Sequence, residues 1–423
     1  MKQVFRIPAY RRLLASYGLN ELTWSVGTIA LAVLVYRRTG SALGSSAFFL
    51  SAQFLPAFLS PLLVARLGVE APRRTLPLLY ALEALLFGLL AWMTSHFSLV
   101  PVLLVALVDG VVAITARALA RAATVDVLRP RDLLHEGNAV INVVFSACFM
   151  GGPALGGLVV AAGGTAAALL ADCALFAAIG LVLATASGLP GANPDELGEE
   201  STWRRVRAAV AHVRQDPPVR WLLILQGGGM IAFTISIPVE VVFAQHTLHA
   251  GAGGYGALLS GCGGGAVVGS AAYARWRRQP GRLLIASSGA ALAVGFAIMA
   301  SAHGIVVAVI GSAVGGLGNG VGSVAQRTML QDYTSQRWMA LVMGLNEAIS
   351  QGMPGIGFVL GGGIASVADP RVAFAVAAAG SLAFAVAVWL LLTPVRLSRP
   401  PEPPWPPDPQ RVPTGAEGHE TLV

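Results

Sequence analysis

The sequence predicts an all-α polytopic membrane protein: twelve transmembrane helices forming two pseudo-symmetric six-helix bundles. Three observations carry this expectation. Residues 283–326 run without one Asp, Glu, Lys or Arg, and similar deserts occupy 139–171, 241–274 and 372–395. A helix in water keeps a polar face, so charge-free runs of this length belong in lipid. The composition agrees: of 423 residues 55% are hydrophobic and 12% charged, against about 25% charged in soluble domains, and the mean hydropathy is +0.69. Third, the charges that remain fall at regular intervals between the apolar runs.

A bilayer core of about 30 Å takes about 20 apolar residues per helix. On that ruler the spans fall at 13–35, 42–64, 75–95, 99–121, 138–161, 164–186, 219–243, 252–274, 282–301, 304–326, 338–364 and 371–393. The first is long and polar-punctuated, with no small-residue cleavage site, and is therefore read as a span and not a signal peptide. The segments 2–12, 66–74, 121–131, 204–220, 275–282, 327–337 and the tail after 396 hold the basic residues, while the opposite side receives only Arg37, Arg38 and Arg371. The positive-inside rule then places both termini in the cytoplasm of a plasma-membrane protein. The chain divides into a bundle at 1–187, a linker at 188–218, a second bundle at 219–393 and a Pro-rich tail at 394–423 expected to be disordered. Within the linker, residues 201–215 set Trp203, Val206, Val210 and Val213 against Arg204, Arg205, Arg207 and Arg214, as a helix lying on a membrane surface does. The formal charge of +7 sits at span ends and gives no footprint for nucleic acid.

The 50 Gly residues fit close helix packing in lipid. The run 251–265 has no Lys-Ser/Thr and no preceding strand, so it is no phosphate loop. Cys148, Cys173 and Cys262 fall inside spans without CxxC spacing, and a buried free Cys is a packing residue. His246 and His249 lie near one another without a third ligand, a loop-edge pair and not a metal site. No cofactor, metal or enzymatic constellation is expected. The two halves repeat weakly: Arg121 and Asp126 echo Arg327 and Asp332, and Asn142 and Ser146 echo Asn346 and Ser350. Such a repeat suits two bundles rocking about a central site.

The stretch Leu34-Val35-Tyr36-Arg37-Arg38-Thr39-Gly40-Ser41-Ala42-Leu43, followed by Gln53-Phe54-Leu55-Pro56, resembles the major facilitator superfamily, in the bacterial branch of enterobactin exporters and macrolide-efflux-like proteins. The similarity spans about residues 5–393. It implies the superfamily's alternating-access fold and a gating loop after the second helix, of which Arg66, Gly68, Arg73 and Arg74 are present. Ala65 stands where that motif has an acid, which transfers the latch to Glu70 or Asp126 or removes it. Gly152, Pro153, Gly156 and Gly157 resemble an exporter-associated motif, with Cys148 in place of its upstream Gly.

An ionisable side chain near mid-bilayer costs about 2.5–3.5 kcal/mol on insertion scales and persists for a partner, a cavity or a task. Glu21, Glu83, Asp109, Arg117, Asp172, Glu240 and Glu347 meet that description. The resemblance implies that helices one, four, seven and ten line the cavity. This promotes Glu21, Asp109, Arg117 and Glu240, with Asn20, Gln226, Asn319 and Gln326 as uncharged companions, and assigns Glu83 and Asp172 structural roles. Glu240 is a gate residue or a solvated edge; Glu347, beside Asn346, is open between site and structure. Glu21 and Arg117 sit at depths agreeing within about 5 Å, at about 1.5 Å per residue. Their pairing serves either proton or cation binding at Glu21 or a static helix contact. Trp24 either stacks on a flat or cationic substrate or packs.

The expected function is secondary active transport: proton-coupled efflux of small amphipathic molecules, drug- or siderophore-like, by a monomer. Import of a small solute is the alternative. A non-transporting sensor or a membrane-embedded enzyme comes further behind, since neither a soluble sensing domain nor a reactive cluster is evident.

Overall fold

The computed structural model describes residues 3–67, 72–185, 213–276, 278–335 and 338–392. Gly68, Glu70, nearly all of the expected surface helix at 201–215 and the tail lie outside them. Among the described residues ten helices are long and apolar enough to cross a membrane, and two local features turn these into twelve spans. The run Leu134–Ala184 is interrupted at Gly164, whose φ of 78° and ψ of 176° suit glycine alone. Gly152 then lies against Ser25, while Asp172 lies against Gly27 and Thr185 accepts a hydrogen bond from Arg12. The chain therefore runs up beside the first helix and back down it. A further span is broken at Met353 into Met339–Gly352 and Pro354–Val367.

We number the spans α1 (Pro8–Thr39), α2 (Ala42–Phe49, a π-turn Leu50–Phe54, then Leu55–Leu67), α3 (Pro72–Met93), α4 (Leu99–Leu128), α5 and α6 (the two arms of Leu134–Ala184), α7 (Pro217–Thr247), α8 (Gly251–Trp276), α9 (Gly281–Ser301), α10 (Ile305–Asp332), α11 (Met339–Gly352 and Pro354–Val367) and α12 (Pro370–Leu391). Their ends are chemically marked. Gly40 closes α1 in the left-handed region, its N–H donating to Tyr36 O at 2.8 Å. Asp216 and Asp369 cap α7 and α12, each followed by Pro at the first helical position, where its missing N–H is no loss.

Helices α1–α6 form one bundle and α7–α12 the other. They meet at the end remote from the N-terminus: the first turns of α2 pack on Pro354–Val367 of α11, with Phe49 and Phe358 ring centroids 5.7 Å apart. Arg37 Nε donates to Gln245 Oε1 there at 3.2 Å. A long seam joins α5 to α8. At the N-terminal end, Leu55–Leu67 packs on α4 and Met339–Gly352 on α7, each within its own bundle apart from Phe58 against Gly352 near the breaks in α2 and α11. The cleft between the bundles therefore opens toward the N-terminus.

Candidate functional site

Cavity residues come from side chains that the apolar helices turn inward. A cavity of about 160 Å³ lies in the first bundle, lined by Asn20, Trp24, Gln53, Asp109 and Arg117 among others, with Gln351 reaching it from α11. Glu21 stands beside it: its Oε1 is 3.3 Å from Arg117 Nε. The contact is an ion pair and not a hydrogen bond, because neither atom has a hydrogen-bond partner among the described residues. The Arg117 Cζ also lies 5.7 Å from the Trp24 ring centre, so the cation is held between a carboxylate and an aromatic face. Glu21 is 4% exposed, and an unpaired carboxylate at that depth would carry a desolvation cost of several kcal/mol.

The expected four-helix lining divides instead into two sites. The larger cavity draws on α1, α2, α3, α4, α6 and α11. Gln226 and Gln326 meet Asn319 around a separate cavity of about 80 Å³ inside the second bundle. There Gln226 Nε2 donates to Ser350 Oγ at 3.0 Å, and Gln326 Nε2 donates to Leu222 O at 3.1 Å. Glu240 lies apart from both; it is buried beneath the joined end, accepting from Ser236 Oγ at 3.2 Å. Its reading as a solvated edge is thereby corrected, because the bundles close over that stretch of α7. Glu347 is exposed and accepts from Gln351 Nε2 at 3.1 Å.

Gln53 and Gln351 were not among the expected cavity residues. Gln53 is turned inward by the π-turn in α2, and π-turns inside helices often mark functional positions. No residue pattern announces that turn in advance. Arg66, Arg73 and Arg74 are exposed at the open end. His246 and His249 stack at 6.5 Å, and no group of three metal-ligating side chains occurs among the described residues.

The Gly/Pro motif of α5 occupies a junction. A Cβ built on Gly152 would lie 2.7 Å from Ser25 Oγ, and one on Gly156 would lie 3.0 Å from Val26 Cα, so this face presses on α1. A Cβ on Gly157 would lie 2.7 Å from Ala252 O of α8. Gly256 of α8 in turn abuts the Pro153 carbonyl, and Gly263 that of Phe149. The seam between the bundles is thus backbone against backbone.

The family model described as Major Facilitator Superfamily matches residues 13–358 and, in a second match, 222–417. The chain belongs to the major facilitator superfamily. Among curated proteins it is similar to the enterobactin exporter EntS of Citrobacter koseri, 27% identical over 311 residues, which are 72% of each chain. Among solved structures it resembles the nucleoside transporter NupG, with a TM-score of 0.70 at 15% identity, covering 90% of this chain and 98% of that one. It likewise resembles a bacterial homologue of the iron transporter ferroportin in an inward-facing state, with a TM-score of 0.69 at 15% identity, 90% and 98% covered. At such identities the structural likeness establishes the fold. This superfamily member is therefore a multi-pass membrane transporter, not an enzyme, built of two six-helix bundles.

Proposed function

We propose that the chain is a proton-coupled exporter of small amphipathic molecules, both termini cytoplasmic, cycling by rocking of its two bundles. The observation that carries this reading is the Glu21–Arg117 pair at a cavity in a cleft open toward the N-terminus. A carboxylate held by one cation beside a water-accessible cavity can exchange that cation for a proton or for a cationic substrate. The cavity supports an amphipathic ligand: Trp24, Phe48, Phe87 and Phe176 give flat apolar walls, and Asn20, Gln53 and Asp109 give few polar points. The likeness to an enterobactin exporter supports outward transport.

The test uses purified full-length protein in liposomes with an imposed pH gradient, and ethidium and a catecholate siderophore as probes. Proton-driven movement of a probe toward the side away from the termini is expected, with Glu21→Gln slowing it at least about tenfold, the loss of about 1.4 kcal/mol. Coupled transport of the Glu21→Gln protein at the unaltered rate, or movement only toward the termini, would overturn the reading.

A further inference from the structure

Three carboxyl groups of the first bundle, besides Glu21, have buried oxygens. Glu83 of α3 and Asp172 of α6 are each 0% exposed, and none of their four oxygens has a hydrogen-bond partner among the described residues. Asp109 of α4 lines the cavity, yet its Oδ1 is also buried and unbonded. The three interact: Asp109 lies within electrostatic reach of both Glu83 and Asp172, and Arg117 within reach of Glu83. Asp172 Oδ2 would stand 3.0 Å from a Cβ on Gly27, a cavity-lining position of α1. Phe87 and Phe176, with ring centroids 5.1 Å apart, line the cavity on this side. The expected structural role for Glu83 and Asp172 asks for hydrogen-bonded partners, and the described residues supply none.

Charge decides what such a group holds. Carboxylates within mutual reach in a low-dielectric interior resist simultaneous ionisation, and their protons belong to the cluster as a whole. The cation in reach, Arg117, is engaged by Glu21. Among the described residues Tyr80 on α3 lies within electrostatic reach of Glu83, Tyr17 on α1 faces Glu21, Arg117 and Arg121 instead, and Cys173 on α6 packs against Gly88; neither tyrosine nor the cysteine supplies positive charge. Among the described residues no three His, Cys, Asp or Glu side chains come close enough to hold one metal ion, which leaves protonation as the route by which these acids lose their charge.

We propose that Glu83, Asp109 and Asp172 form a proton-binding triad behind the cavity, filled and emptied through Asp109, whose charge decides whether Arg117 stays on Glu21. With the triad neutral, Arg117 rests on Glu21 and Trp24, as in this structure. Loss of protons through Asp109 draws the guanidinium inward and uncovers Glu21 for substrate or proton. This deepens the exporter reading and rests on it only for the direction of transport.

The test is infrared difference titration of the full-length protein in lipid nanodiscs, from about pH 5 to about pH 9. Absorption from protonated carboxyl groups is expected at neutral pH and should bleach on alkaline titration. Glu83→Gln and Asp172→Asn should each remove part of it, and Glu21→Gln should leave it. No such absorption in the unaltered protein, which needs no variant to fold, overturns the triad. So does absorption that the Glu83 and Asp172 variants both leave unchanged, or a titration that sodium displaces at constant pH. The difference in emission between the unaltered protein and Trp24→Phe reports the guanidinium over that ring, and should follow the same pH midpoint. A pH-independent difference overturns the link to Arg117. Carboxyl bands without probe transport sink the exporter reading alone; transport without the bands sinks the triad alone.

Discussion

Replacing Gly256 with Ala tests whether the α5–α8 seam holds the bundles closed at the end remote from the N-terminus. The added Cβ collides with the Pro153 carbonyl and stands 3.0 Å from Gly157 Cα and 3.2 Å from Gly157 N. Carbon atoms rest at about 3.5–4.0 Å, so the two backbones must part by about 0.5–1 Å. Overpacking of this size costs about 1–3 kcal/mol, and only while the seam is closed. The gain in helix propensity from Gly to Ala, about 1 kcal/mol, acts in both conformations and cancels in their ratio. The balance should therefore move toward the conformation parted at this end by roughly 5- to 150-fold. Spin labels at Ser95→Cys and Ser301→Cys, exposed positions at this end of the two bundles, report it by pulsed dipolar distance measurement once the native cysteines are replaced by Ala. The matched control is Gly253→Ala, where a Cβ meets nothing within 4 Å. A folded Gly256→Ala protein with the control's distance distribution would refute the seam as the closing element.

Two further outcomes concern stability. Arg117→Met should lower the thermal unfolding midpoint by the equivalent of about 3–5 kcal/mol because it strands Glu21 in the interior, whereas Glu21→Gln with Arg117→Met should recover most of that loss; equal melting of single and double variants would mean the pair is not coupled. Gly164→Ala forces a side chain into a backbone region that only glycine occupies readily and should cost about 1–3 kcal/mol, read by loss of the monodisperse peak on heating; an unchanged midpoint would show that the turn between α5 and α6 relaxes freely.

Much of the architecture was legible along the chain because crossing a bilayer is a local property. A run of about 20 apolar residues spans wherever it occurs, so the expected pair 138–161 and 164–186 matches the two arms that turn at Gly164. Depth was legible for the same reason: at a fixed rise per residue, Glu21 and Arg117 fall at similar height, and in the structure they pair at 3.3 Å. The broken α11 was not legible, since Met353-Pro354 looks like any tolerated membrane proline.

Rotation about the helix axis is what the sequence withheld. Helices that are apolar almost all round show no stripe to say which face turns inward. Asp109, Glu83 and Asp172 could each be placed at mid-depth from the sequence, but only packing of α3, α4 and α6 brought them within reach of one another. Packing likewise sent Gln226, Asn319 and Gln326 to a different cavity from Asn20 and Asp109. Spans and depth were thus determined residue by residue along the chain, through the cost of charge in lipid. Which charges meet was decided by close contacts between helices, as where Gly27 of α1 admits Phe87 and Asp172 and Gly180 of α6 meets the Pro77 carbonyl of α3.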